Sequence, residues 1–161
     1  MFRTTLITMS SLALILFTSC GSNSDGTYEA LVADYGAQVE QMKSLNADHA
    51  EAVAASTDLT VLLSEEDTHQ GEMEAVMDEM RTTATQLEGC SMMEDMDMSG
   101  MMTDVESQMQ AHQSNMEAAP DLESAQQEEL AHQEAMDEML SQMEEDYDAM
   151  YGMSGMSGMG C

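Results

Sequence analysis

Displaced by 63 residues, this chain lies on top of itself. His49 falls on His112, Asp58-Leu59 on Asp121-Leu122, Glu65-Glu66 on Glu128-Glu129, His69-Gln70 on His132-Gln133, Met73 on Met136, Met80 on Met143 and Gly89 on Gly152. Each copy is one supersecondary unit, and two such units bury their apolar faces on one another. Within each copy the apolar residues return in steps of three and four, the period of an amphipathic helix, and nothing reads as a strand. The pattern predicts helices from Thr27 to Ala55, from Asp58 to Gly89, from Met101 to Ala119, and from Pro120-Asp121 to Gly152. Asp before an apolar residue suits a helix start, Pro a first turn and Gly a helix end. Short turns near Thr57 and Pro120 join antiparallel neighbours. The expected fold is all-α, an up-down-up-down four-helix bundle of two duplicated αα-hairpins. Repeat 1 covers about residues 27–89 and repeat 2 about 101–152, with a Met-rich loop at 90–100 and a Met/Gly/Ser-rich tail at 153–161.

The inward seams of these helices carry polar residues where leucine is usual. The second helix turns Leu62, Glu66, His69, Met73, Val76 and Met80 inward, and the fourth turns Ala125, Glu129, His132, Met136, Met139 and Met143. The first offers Asn46 and His49 among Val39, Met42 and Val53; the third offers His112 among Met102, Val105, Met109 and Met116. Distance from each turn, at about 1.5 Å per residue, sets height in the bundle. On that measure His49, Glu66, His112 and Glu129 share one layer. His69 and His132 lie one helical step further from the turns, level with Asn46 and Met109. A buried, unpaired carboxylate costs several kcal/mol and tends to take up a proton. Two in one layer also repel. A cation relieves both, and imidazoles complete its ligand set. His49, Glu66, His69, His112, Glu129 and His132 are therefore the candidate metal ligands. The competing reading is structural hydrogen bonding among the same groups.

The spacings Glu66-x-x-His69 and Glu129-x-x-His132, on two helices of such a bundle, resemble the ferritin-like di-iron carboxylate proteins. In that family the other two helices each give a Glu; here His49 and His112 stand at those positions. The exchange leaves a site richer in nitrogen and poorer in negative charge, which favours copper or zinc over iron-oxygen chemistry.

The chain opens with MFRTTLITMSSLALILFTSC. Arg3, followed by an apolar run from Leu6 to Phe17 too short to span a bilayer comfortably, has the form of a secretion signal. Phe17-Thr18-Ser19-Cys20 resembles the lipobox of bacterial lipoproteins, with Phe17 where Leu is usual. The resemblance implies removal of residues 1–19, lipidation of Cys20, and a tether over 20–26. The chain would then sit in the bacterial envelope, at the outer membrane facing the periplasm, touching the membrane through its anchor alone. A plain cleaved signal peptide is the other reading.

Beyond Arg3, only Lys43 and Arg81 oppose 32 Asp and Glu. Such a surface repels nucleic acid and attracts cations, although solubility or a salty habitat would produce it too. There are 21 Met and no Trp, and both Phe lie in the first 20 residues, so the core is built from Met, Leu, Val and Ala. Met92, Met93, Met96 and Met98 cluster after the second helix, and Met150, Met153, Met156 and Met159 recur at every third position near the end. Thioethers are soft ligands that favour Cu(I), and Met73 and Met136 add two more below the histidines. Met-x-x-Met resembles the Met motifs of bacterial copper and silver handling proteins; a low-complexity tail acting as an oxidant sink is the alternative. Cys90 and Cys161 follow helix ends on the same side, so an oxidising compartment would join them, unless both thiolates serve the Met cluster. Tyr28, Tyr35, Tyr147 and Tyr151 gather at that end.

The expected function is transition-metal binding by an envelope lipoprotein. Copper comes first, with zinc and iron as alternatives, for storage, buffering or delivery that would involve a protein partner in metal transfer. Two rivals stand beside it: a ferritin-like dinuclear oxidoreductase, and a metal-free acidic lipoprotein that spaces the envelope or binds a partner. No nucleophile-base pair or phosphate-cradling Gly loop is present, which argues against hydrolase and nucleotide chemistry and favours a non-enzymatic role.

Overall fold

The computed structural model describes residues 28–90 and 97–154. The signal and tether, Cys20, Met92, Met93, Met96, Met156, Met159 and Cys161 lie outside them. Helix α1 spans Tyr28–Ala55, α2 Leu59–Glu88, α3 Met98–Ala118 and α4 Leu122–Ser154, and no strand occurs among the described residues. Each helix packs on its neighbour in sequence, and α1 closes the ring against α4, while the diagonal pair α2 and α4 meets only weakly. This is the four-helix bundle that the duplicated pattern predicts.

The capping aspartates act as their positions imply. Asp58 Oδ1 accepts from the backbone N–H of Thr60 at 2.9 Å and of Val61 at 3.2 Å, and Asp121 Oδ1 accepts from Ser124 at 2.9 Å. Pro120 stands just before this second cap rather than in the first turn. Helix α3 begins at Met98, earlier than the expected Met101. There Asp97 Oδ1 accepts from Gly100 N at 2.8 Å, which holds a first turn that Ser99-Gly100 alone would not favour. Helix α4 runs past Gly152 to Ser154. A helical glycine costs about 1 kcal/mol, and Met153 beside it packs against the core.

The interior is apolar in two blocks with a polar layer between them. The small block at the turn end is Val53, Leu62, Met116 and Ala125. The larger block fills the rest of the bundle, with Met42, Met73, Met80, Met136 and Met143 wholly buried. Unbranched thioethers fill the irregular space that Phe would occupy elsewhere. Met98 and Met150, expected on an exposed end, are buried in this block, so packing accounts for them. Two details close the far end. The Tyr28 hydroxyl donates to the Met150 carbonyl at 3.2 Å. Gly36 leaves room for the Tyr147 ring, which would clash with a Cβ there. Cys90 is buried and disulfide-bonded.

Among the described residues, the two basic side chains tie helices together at the surface. Lys43 reaches Glu144 on α4 at 3.0 Å and Arg81 reaches Glu106 on α3 at 3.1 Å. Exposed pairs of this kind contribute about 0–1 kcal/mol each. Among the described residues no helix is long and apolar enough to cross a membrane.

Candidate metal centre

The polar layer is made by one residue from each helix: His49 of α1, Glu66 of α2, His112 of α3 and Glu129 of α4, each no more than 4 % exposed. They share a height because His49 and Glu66 flank the first turn as His112 and Glu129 flank the second. His49 Nε2 lies 3.1 Å from Glu66 Oε2 and 3.1 Å from Glu129 Oε2. His112 Nε2 lies 3.1 Å from Glu66 Oε2 and 3.2 Å from Glu129 Oε2. Nitrogen and oxygen thus alternate around a closed ring whose four atoms all lie within 4.8 Å of one another.

Two features of this ring bear on metal. First, with four edges of 3.1–3.2 Å, a point equidistant from the donors lies about 1.9–2.2 Å from each, whether the ring is folded toward a tetrahedron or flat. Bonds from Zn²⁺ to imidazole nitrogen and carboxylate oxygen are about 2.0–2.2 Å. Second, each Nε2 stands between two carboxylate oxygens, and a single N–H cannot point well at both. Two hydrogens serve four contacts poorly, whereas one central cation meets all four donors. Two carboxylates and two neutral imidazoles also neutralise a divalent ion completely.

Without a cation the layer balances by proton uptake. Burial opposes a charged ring at His49 and His112, but the bonds and attraction from Glu129 and Glu66 outweigh it and raise both to about 9. Burial likewise opposes charge on Glu66, yet His112 and His49 pull its carboxyl down to about 2. Glu129 is lowered by the same two partners. The metal-free layer is therefore two imidazoliums and two carboxylates.

His69 and His132 occupy the next layer and are not members of the ring. His69 stacks on His49 with centroids 4.0 Å apart and planes at 5°, and His132 stacks on His112 at 3.8 Å and 11°. Burial, then repulsion from the charged ring beneath, lowers both to about 4, so they are neutral near pH 7. His69 Nε2 and His132 Nδ1 are buried with no hydrogen-bond partner. Asn46, expected at this level, is buried and donates to Asp137 Oδ1 at 3.2 Å. Of the soft candidates, Met73 and Met136 lie in the apolar block, Met98 and Met150 are buried at its far end, and Met153 packs against it.

Sequence reading placed the ring correctly but missed its supports. Gln133 Nε2 donates to Glu129 Oε1 at 3.0 Å and so orients that carboxylate. Asn115 Nδ2 donates to Glu128 Oε1 at 2.8 Å across α3 and α4. Gln133 had one signal, its place beside His132 in the duplicated His-Gln pair; its twin Gln70 turns instead to Glu74 at 3.0 Å. Comparison with protein-family models, with curated proteins and with solved structures finds no match to this chain.

Proposed function

We propose that this chain reversibly binds a transition-metal ion, copper first, in the ring of His49, Glu66, His112 and Glu129, as an envelope lipoprotein that stores, buffers or hands on that ion. The carrying observation is the alternating N/O ring with edges of 3.1–3.2 Å, set between two apolar blocks. Two nitrogens and two oxygens suit tetragonal Cu(II) if the ring lies flat, and the same donors folded toward a tetrahedron suit Zn(II). The surplus of acidic residues supports a role in gathering cations, and the sequence resemblances of the first 20 residues support an anchored envelope location.

The test is titration of the purified chain with Cu²⁺ and Zn²⁺, followed by calorimetry and metal analysis, with His49→Ala and His112→Ala in parallel. One ion per chain is expected, and each substitution should weaken binding by more than about 100-fold, beyond the usual effect of losing only a supporting residue. Binding that persists in both variants would end the reading. Elemental analysis of protein from its native host decides between copper and zinc.

A second reading has its own observation. His69 Nε2 and His132 Nδ1 are buried donors without partners, set 3.8–4.0 Å above the first imidazoles by stacking. Two unpartnered imidazole nitrogens beside a first centre are donors that a second ion could use. Two ions per chain, reduced to one in His69→Gln/His132→Gln, would favour it.

A further inference from the structure

The two hairpins bring matching ligands to the ring but cover them differently, and this asymmetry has a functional reading. Between α1 and α2 a groove of about 190 Å³ runs from the surface down to His49 and His69. Asp48, Glu65 and Glu72 line it, with Ala52 in its wall. Advancing by 63 residues gives the corresponding side chains of α3 and α4: Ala111, Glu128, Ala135 and Asn115. Two of the three acidic residues are gone. In place of Ala52 stands Asn115, whose amide bonds Glu128 at 2.8 Å and so spans the two helices directly over His112. Glu128 Oε1 lies 3.8 Å from His112 Nδ1, which is itself buried. Ala52 has no atom with which to fasten Glu65 in this way.

We propose that the α1–α2 groove is the passage by which a cation reaches and leaves the ring, with Asp48, Glu65 and Glu72 collecting it and His69 receiving it at the base, while the α3–α4 face is closed by the Asn115–Glu128 bond. The inference rests on the metal-binding reading of the ring and assigns its route. Acidic residues alone would be an ordinary solvated face. Here they lead to His69, a groove-lining side chain only 5 % exposed whose Nε2 has no hydrogen-bond partner. They also lead to His49, whose Nε2 is one corner of the ring. An imidazole stacked on that ligand sets an unpartnered nitrogen one step before the centre. Low dielectric walls around like charges concentrate cations at the mouth. The rival opening lies between α1 and α4, where Ala50, Val53, Ala54 and Leu130 surround the approach to Glu129. Apart from Glu129 itself and two glutamines its wall is apolar, and Gln133 already holds that carboxylate.

The duplication supplies its own test. Stopped-flow mixing of the full chain with Co²⁺, whose absorption reports binding, gives association and release rates. Ala52→Asn installs in hairpin 1 the residue that closes hairpin 2. It should slow association and release together by about tenfold or more, leaving Kd within about twofold of the parent. Asn115→Ala, which only removes atoms, should quicken both. Asp48→Asn/Glu72→Gln should slow association several-fold at low salt, with the difference fading as salt rises. Circular dichroism melting confirms that each variant is folded. Rates unchanged in both Ala52→Asn and Asn115→Ala overturn the passage, as does a larger slowing from Ala50→Leu on the α1–α4 face. If the parent binds and His49→Ala does not, such a result removes the passage alone. A parent that never binds removes the metal reading with it.

Discussion

The two hairpins give the centre the same donors and little else in common. Each contributes one Nε2 and one Oε2 to the ring, and in each a second histidine stacks on the first at about the same separation. Around these donors the copies diverge. Glu129 is held by Gln133, while Glu66 receives nothing from the corresponding Gln70, which turns to Glu74. Asn115 bonds Glu128 in hairpin 2, and Ala52 leaves Glu65 unfastened in hairpin 1. The lesson is that a shared interior charge centre constrains its four donors jointly, because any one left alone would be a buried unpaired charge. The covering residues face water and carry no such constraint.

The comparison can be broken most forcefully by removing one carboxylate from the metal-free chain. Glu66→Leu and Glu129→Leu each leave two buried imidazoliums facing one carboxylate, and should cost about 3–5 kcal/mol. Glu129→Leu should cost about 1 kcal/mol more, since Gln133 loses its acceptor. Urea unfolding in the presence of chelator measures both, and losses under 1 kcal/mol would mean that the layer is not an ionic network. Equal losses would dissolve the difference between the copies.

A smaller effect separates the two histidine layers. His49 and His112 are raised from 6.5 to about 9, so the fold keeps protons that the unfolded chain has released. Their stabilisation is complete below pH 6.5 and disappears as pH rises through about 9. His69 and His132 are lowered from 6.5 to about 4, so the unfolded chain takes up protons first and stability falls as pH drops from 6.5 toward 4. Glu66, lowered from 4.5 to about 2, withdraws its contribution as pH falls from 4.5 toward 2. The metal-free chain should therefore be most stable near pH 6.5, declining on both sides. Thermal melting from pH 4 to 9 reads this, and His69→Gln/His132→Gln should flatten the acid side alone. An acid side unchanged in that double variant would refute the division between layers.

The smallest expected effects lie at the turns. Asp58→Ala and Asp121→Ala should each cost about 1 kcal/mol of unfolding free energy. Asp58 should cost the more, because it accepts from two backbone amides where Asp121 accepts from Ser124. The reverse order in the same urea experiment would show that the caps are not what distinguishes the two turns.

Much of this protein is legible before any coordinates. The 63-residue repeat and the three-and-four spacing determine four helices in two hairpins, because an amphipathic helix has one way to bury its stripe. Counting from each turn puts His49, Glu66, His112 and Glu129 at one height, since rise per residue is fixed by backbone hydrogen bonding. Helix ends were less legible: Ser99-Gly100 reads as loop until Asp97 is seen to cap it. What height cannot give is the rotation of each ring about its own bonds. Only the packed bundle decided that His49 and His112 aim Nε2 between both carboxylates while His69 and His132 stack above them, because four helices must meet before those rotamers compete for one space. The Asn115–Glu128 bond and the groove opposite it were likewise settled there, by side chains whose partners lie across a helix interface and leave no periodic mark in the sequence.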